Sequence, residues 1–353
     1  MAAELKSAKI QVMVVNDSAY MRTMFGDMIA SSQRVRVCET AVDGADALRK
    51  LAKSRPDVIL LDMEMPNMDG LTFIENAMAK SPVPIVVVSS YGHKGADVVF
   101  SALELGAVDF IPIPSDDPEK MCTLKETLLS KIEIAAETNP AQLRAGGARR
   151  AEAQPRERPQ KTEEGKSIVV IGASTGGPGI VSEIMSRLPA DLPAAVVIVQ
   201  HMPEGFTKSF AERLNGVAKI PVREAKNGDA VMAGAALLAP GDYHMIVKPT
   251  RRVELNKSPK RFGVRPAINM AMVSASEVYG SRTVGVLLTG MGHDGAFGMK
   301  MIKRRGGKTA GQDEASSVVF GMTKAAVEMD AVDRLLPADM MADEIVKMVR
   351  DLQ

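Results

Sequence analysis

The stretch Ser167-Ile-Val-Val-Ile-Gly-Ala-Ser174-Thr-Gly-Gly-Pro-Gly-Ile180 restricts the folds open to this chain more than any other. Ile168 to Ile171 is a short β-branched run of the kind a parallel strand buries on both faces. The run predicts a strand breaking at Gly172, where glycines and Pro178 allow a tight turn into a helix running toward Leu188. Strand, glycine turn and helix belong to α/β folds, whose ligand sites lie beyond the carboxyl ends of parallel strands. Ser174 falls in the turn, near helix N–H groups able to stabilise an oxyanion. The same layout serves phosphate-binding glycine loops. Gly172, Gly176 and Gly177 do not spell G-x-G-x-x-G, and G-x-x-x-x-G-K-[ST] is absent. On this stretch alone, a serine nucleophile and a nucleotide loop are equally compatible.

Composition narrows the partners. A chain of 353 residues has room for two or three domains, at roughly 150 residues each. A formal net charge of +1 gives no reason to expect nucleic acid or an anionic membrane as partner. Only Cys38 and Cys122 occur, far apart, which argues against a disulfide framework and for a reducing compartment. No apolar run approaches the roughly 18–20 residues of a membrane helix. Met1-Ala-Ala-Glu-Leu-Lys6 lacks the apolar core of a signal peptide. A cytoplasmic protein without membrane insertion is expected.

Residues 8–133 read as one domain of alternating strands and helices around a five-stranded parallel sheet. The predicted strands are Gln11–Val15, Val35–Thr40, Val58–Leu61, Ile85–Ser89 and Asp109–Ile111, with helices clearest at Ala19–Ser31 and Gly44–Ser54. Their carboxyl ends present Asn16 and Asp17, then Asp62 and Glu64, then Ser89 and Ser90, then Pro112, Ile113 and Pro114. Paired carboxylates on adjacent loops suit a hard cation such as Mg²⁺. With that charge shielded, Asp62 can accept a phosphoryl group. Taken singly, each acid could equally cap a helix.

Val-Val-Asn16-Asp17-Ser-Ala-Tyr-Met-Arg, Leu-Leu-Asp62-Met-Glu-Met-Pro66 and Gly106-Ala-Val-Asp-Phe resemble a response-regulator receiver domain, which has a flavodoxin-like fold. The resemblance implies Asp62 as phosphoacceptor, Asp17, Asp62 and the Glu64 carbonyl as Mg²⁺ ligands, and Ser89 as the hydroxyl sensing the phosphoryl group. Asn16 stands where the family usually has a second acid, and Ile113 where it has a lysine. An aliphatic side chain cannot supply that ammonium; Lys94 is the nearby candidate to compensate.

Residues 134–165 are expected to be a flexible linker. From residue 138 onward Leu143 is its sole large aliphatic, and Pro140, Pro155 and Pro159 interrupt any helix. Too little apolar surface is present to offset the entropy of ordering. Residues 166–353 then resume the strand–helix alternation of a doubly wound, mostly parallel α/β domain, with a small antiparallel insertion within 236–255. Predicted strands are Ser167–Ile171, Ala195–Gln200, Ala236–Ala239, His244–Pro249, Arg252–Leu255, Thr283–Leu288 and Lys308–Gly311.

A nucleophilic serine needs a base in reach and a group to orient that base. The chain offers His93, His201, His244 and His293. His201 directly follows an apolar strand, as Ser174 does. His244 lies in a turn, His293 in a glycine-rich loop, and His93 in the first domain. Val286-Leu-Leu-Thr-Gly-Met-Gly-His-Asp294-Gly-Ala is a third strand and loop, in which Asp294 reads singly as a helix cap. Together, Ser174, His201 and Asp294 form a coherent Ser–His–Asp set on an α/β scaffold. The backbone N–H groups of Thr175 and Met291 are candidate oxyanion donors, and catalysis needs no cofactor.

Gly-Ala-Ser174-Thr-Gly-Gly-Pro, Val-Gln-His201-Met-Pro-Glu-Gly-Phe-Thr, Ala-Pro-Gly241-Asp-Tyr-His, Leu-Thr-Gly-Met-Gly-His-Asp294-Gly-Ala and Gln312-Asp-Glu-Ala-Ser-Ser-Val-Val-Phe-Gly-Met occur in order. They resemble the catalytic domain of bacterial chemotaxis protein-glutamate methylesterases, and the receiver–linker–hydrolase order agrees. The resemblance implies hydrolysis of glutamate γ-methyl esters on chemoreceptor helices, with deamidation of receptor glutamines. It also implies a chemotaxis histidine kinase as phosphodonor, and a receiver that hinders the Ser174 cleft until phosphorylated. Asn269 and Thr323 depart from the family's Asp and Pro, in loops expected to shape substrate or interdomain contacts. Rival readings are the same triad acting on another ester, and a phosphorylation-independent docking module.

Overall fold

In a computed structural model of the chain the described residues are 9–90, 93–113, 118–138 and 165–352. The chain divides into two compact units, Met1–Ala148 and Arg149–Gln353.

The first unit alternates β1 (Ile10–Val15), α1 (Ala19–Ala30), β2 (Val35–Ala41), α2 (Gly44–Ser54), β3 (Val58–Asp62), α3 (Gly70–Lys80), β4 (Ile85–Ser90), α4 (His93–Glu104), β5 (Asp109–Ile113) and α5 (Pro118–Ala136). Its strands pair in parallel in the order β2-β1-β3-β4-β5. This is the flavodoxin-like sheet expected from the sequence. Val58, Ile59, Leu60 and Leu61 are at most 1% exposed, as a strand covered on both faces requires. Side chains of Ser18, Asp43 and Asp69 cap α1, α2 and α3 by accepting N–H groups of Met21, Asp46 and Thr72. Ser18, not Asp17, therefore caps α1, and Asp17 is left at the strand end. Helix α5 continues past residue 133 because Ile134 and Ala135 are still buried. The rest of the expected linker, from 139 to 164, lies outside the described residues.

The second unit contains β6 (Ser167–Ala173), α6 (Gly177–Arg187), β7 (Ala194–Gln200), α7 (Phe206–Val217), β8 (Val222–Glu224), β9 (Ala236–Leu238), β10 (His244–Val247) and β11 (Val253–Asn256). It continues with α8 (Ile268–Tyr279), β12 (Thr283–Leu287), α9 (Ala296–Arg304), β13 (Lys308–Gln312), α10 (Met322–Glu328), β14 (Arg334–Leu336) and α11 (Met341–Arg350). Seven strands form one sheet in the order β14-β13-β12-β6-β7-β9-β8, all pairs parallel. The expected antiparallel insertion is smaller than 236–255. Among the described strands only β10 and β11 pair antiparallel, His244 opposite Asn256, whereas β9 joins the main sheet between β7 and β8. The two short edge strands, β8 and β14, escape sequence reading because three residues that include Arg or Glu carry no periodicity.

Every residue of β6 and β7 is buried. Strand β6 does not break at Gly172 but runs on to Ala173. The glycine is needed for packing, since a Cβ there would lie 2.4 Å from Cγ2 of Ile268 at the start of α8. From β6 the chain winds outward through β7 on one side, then returns to β12 on the other. The strand order thus reverses between β6 and β12, where doubly wound sheets open a crevice at their carboxyl ends. Ser174 immediately follows β6. Among the described residues no helix is long and apolar enough to cross a membrane.

Candidate active site

Three neighbouring strand ends converge on Ser174. The Ser174 N–H donates to the Thr289 carbonyl beyond β12 at 3.0 Å, and the Ser174 carbonyl accepts the Gly177 N–H at 2.8 Å. The next residue after β7, His201, donates its backbone N–H to the Ala173 carbonyl at 3.0 Å. Gly290 lets the loop after β12 lie directly on the turn, because a Cβ there would fall 2.5 Å from the Ser174 Cβ.

His201 and Asp294, 93 residues apart in sequence, meet at 2.9 Å between Nε2 and Oδ2. The Asp294 side chain is 3% exposed and that of His201 11%. A buried carboxylate needs partners, and Asp294 finds them at the N-terminus of α8. Its Oδ2 accepts the Ile268 N–H at 2.7 Å, and its Oδ1 accepts the Asn269 N–H at 3.0 Å. Ala267, at the cap position of α8, has no side-chain acceptor. Asp294 thus does cap a helix, as one reading of the sequence allowed, but a different one from the helix it precedes. Burial alone would raise its pKa; the bond to His201, its charge, and the Asn269 and Ile268 N–H groups hold it below the ordinary carboxylate range. With Nε2 committed to Asp294, Nδ1 is the ring nitrogen left for another partner. This orientation is the reverse of that in chymotrypsin-like triads.

The other histidines have different surroundings. His244 is fully buried. Its Nδ1 accepts the Ala267 N–H and its Nε2 donates to the Pro259 carbonyl, both at 3.2 Å. It thereby supports the same end of α8 that holds Asp294, and burial pushes its pKa down. His293 is exposed and packs edge-on against Phe262 at 4.3 Å between ring centroids. The His93 side chain lies outside the described residues.

Of the candidate oxyanion donors, Thr175 is buried, and its carbonyl accepts the Thr289 hydroxyl at 3.0 Å. The Met291 N–H has no hydrogen-bond partner among the described residues, and its side chain is exposed. The glycines of the turn serve protein contacts. A Cβ at Gly176 would lie 2.6 Å from the Val318 Cβ, and one at Gly177 would lie 2.5 Å from Gln200 Oε1. Val318 and Gln200 occupy the space over those two glycines.

Buried polar residues that sequence reading passed over hold the loops together. Thr289 donates its N–H to Gln312 Oε1 at 2.9 Å, and its Oγ1 accepts the Val319 N–H at 2.9 Å. Asn269 and Thr323, the two departures from the family's pattern, bond to neighbouring backbone. Asn269 Oδ1 accepts the Gly298 N–H at 2.7 Å, and Thr323 Oγ1 donates to the Leu287 carbonyl at 3.2 Å.

In the first unit the strand order reverses between β1 and β3, and the candidate phosphoacceptor Asp62 ends β3. Its Oδ2 accepts Asn16 Nδ2 at 2.7 Å and its Oδ1 the Glu64 N–H at 3.3 Å. Burial raises the Asp62 pKa, and the charges of Asp17 and Glu64 add to the rise. Asp17, just past the end of β1, and Asp62 with the Glu64 carbonyl are oxygen donors of the kind a hard divalent cation takes. Ser89, 7% exposed, lies near the end of β4. Lys131 of α5 does not replace the missing lysine: it bonds Asp109, at the amino end of β5, at 2.6 Å. The Lys94 side chain lies outside the described residues.

Residues 12–125 match the response regulator receiver domain, and residues 169–345 match the CheB methylesterase domain. A protein-glutamate methylesterase/protein-glutamine glutaminase of Pyrococcus horikoshii is 45% identical over 351 residues, covering 98% of this chain and 95% of that protein. Its counterpart in Symbiobacterium thermophilum is 43% identical over 352 residues, covering 96% and 97%. The crystal structure of the Thermotoga maritima CheB methylesterase catalytic domain is 43% identical with a TM-score of 0.50, covering 52% of this chain and 98% of that one. This chain therefore belongs to the protein-glutamate methylesterase family, in which a receiver domain is joined to a CheB methylesterase domain.

Proposed function

We propose that this chain hydrolyses glutamate γ-methyl esters on chemoreceptors, and deamidates receptor glutamines, with Ser174, His201 and Asp294 as the catalytic triad. The observation that carries the reading is the 2.9 Å contact between His201 and the buried, helix-anchored Asp294, in the segments that follow the two strands flanking β6. Ser174 Oγ bonds to the ester carbonyl carbon as its proton passes to His201 Nδ1. The oxyanion forms within reach of the Met291 N–H, with Thr175 the second proposed donor. The bond to the methoxy oxygen then breaks, His201 protonates that oxygen, and methanol leaves. Water attacks the acyl-serine, giving up a proton to His201, and the Ser174 hydroxyl is restored with a glutamate product. A glutamine side chain follows the same course with ammonia as leaving group. Throughout, the Asp294 carboxylate stabilises the imidazolium and fixes the ring.

The receiver, residues 8–133, regulates this activity through Asp62, joined by the linker 134–165 to the hydrolase, residues 166–353. The Asp62 carboxylate attacks the phosphorus of a phosphodonor, a chemotaxis histidine kinase, and the donor's bond to phosphorus breaks. Asp17, Asp62 and the Glu64 carbonyl would hold Mg²⁺, which when bound offsets the negative charge gathered at Asp62. Ser89 supplies the hydroxyl that senses the phosphoryl group. Phosphorylation shifts the equilibrium between hindered and open hydrolase by differential affinity. The protein acts in the cytoplasm.

Labelling by a fluorophosphonate tests the triad without reference to the substrate. Wild-type protein is expected to label at Ser174, and His201→Ala to lose most of the rate. Equal labelling of both would refute base activation by His201.

A further inference from the structure

Gln200 closes β7 and is 2% exposed. Its carboxamide reaches from β7 across to the end of β6. Nε2 donates to the Ser174 carbonyl at 2.8 Å and to the His201 carbonyl at 3.3 Å. One nitrogen therefore joins the backbone of the proposed nucleophile to that of the proposed base. The opposite amide orientation would set Oε1 against two carbonyl oxygens, so the network fixes the assignment. Oε1 itself is buried without a hydrogen-bond partner among the described residues, an arrangement that costs stability. Room for it is left by Gly177, where a Cβ would lie 2.5 Å from Oε1. The fold thus tolerates an unsatisfied acceptor and a glycine that keep the two N–H donations in place. An apolar side chain of similar size would fill the same space without that cost.

We infer that Gln200 is a positioning residue for the hydrolysis, tying the Ser174 turn to His201 and so fixing where the Oγ and the imidazole sit relative to each other. The inference rests on the hydrolase reading above. It acts through Ser174 and His201, and Gln200 itself need not touch substrate. Misplacing a reacting group by about 1 Å can lower rate about 10²-fold, and the loss falls on kcat.

The test uses the full chain as wild type, Gln200→Met and Gln200→Glu. Methanol release from methylated chemoreceptor membranes gives kcat and KM, and fluorophosphonate labelling reads Ser174 activation directly. Gln200→Met keeps the volume and removes both donated bonds. It should melt within a few degrees of wild type, lose kcat and labelling rate about 10²-fold, and keep its KM. Gln200→Glu keeps the shape without the paired N–H donors and should lose at least tenfold in both, which decides the matter if the methionine variant fails to fold. A folded variant with wild-type kcat and labelling rate overturns the inference. Wild-type protein that labels but releases no methanol overturns the ester reading alone, and the labelling rates still decide the role of Gln200.

Discussion

Thr289 grips the Ser174 turn from two sides: its carbonyl accepts the Ser174 N–H and its hydroxyl donates to the next carbonyl, that of Thr175, both at 3.0 Å. The same hydroxyl accepts the Val319 N–H, so one fully buried side chain links the ends of β6 and β12 to the segment before α10. Thr289→Val has nearly the same shape but removes the donor to the Thr175 carbonyl and the acceptor of the Val319 N–H. A buried unpaired N–H costs about 1–3 kcal/mol. The variant should melt several degrees lower and lose more in kcat than in KM, measured by melting and by methanol release.

Asp294 caps α8 and, in the proposed triad, stabilises His201; the two separate by substitution. Asp294→Asn keeps an acceptor for only one of the two α8 N–H groups and removes the charge that stabilises the imidazolium; kcat should fall about 10⁴-fold, the loss known for the corresponding serine-protease change. Asp294→Ala also leaves the Ile268 and Asn269 N–H groups without their carboxylate, which should cost a further 1–2 kcal/mol or about that in stability. The denaturant midpoint of Asp294→Ala should therefore lie below that of Asp294→Asn, by the one capping bond that asparagine keeps.

The fold was largely legible in the sequence, because β-branched runs such as Val58–Leu61 and Ile168–Ile171 have few other places to go in a chain this size. Ser174 and His201 stood out because each follows such a run directly, and Asp294 because it sits in the glycine-rich loop after another. Thr289, Gln200 and Gln312 did not, since a polar residue near a strand end gives no sign of which loop it will bond. Gly172 misled for a related reason. A glycine that makes room for Ile268 looks, in one dimension, like a glycine that makes a turn. The parallel pairing of β9 was hidden by its neighbourhood, where a true antiparallel pair follows within a few residues.

The His244 contacts predict an acid limit to stability. Its folded pKa is lowered, chiefly by burial, so the unfolded state takes up the proton first as pH falls. This stability is fully present above the unfolded pKa of about 6.5 and is lost as pH falls through that value toward the folded one. Melting of the hydrolase unit between pH 7.5 and 5 should show the loss. His244→Phe should be less stable at neutral pH, because Ala267 loses its acceptor, and should show a shallower decline on acidification.

In the receiver the sign is opposite. The Asp62 pKa is raised, by burial first and then by Asp17 and Glu64, so the stability this group contributes is present in acid and lost as pH rises through its folded pKa. Asp62→Asn should therefore raise the receiver's melting temperature at pH 7, by about 2–4 °C, with the gain shrinking toward pH 4. The same variant should abolish any response to a phosphodonor. Ile113→Lys restores the ammonium that pairs with a phosphoryl group and should enlarge the phosphodonor-dependent rise in methanol release severalfold.

Methanol release from radiolabelled, methylated chemoreceptor membranes, with Ser174→Ala as control, bears most directly on the proposed activity. Wild-type protein should release methanol, the Ser174→Ala protein should not, and a phosphodonor with Mg²⁺ should raise the wild-type rate. Release that persists undiminished in Ser174→Ala, or no release by the wild-type protein under either condition, would contradict the account.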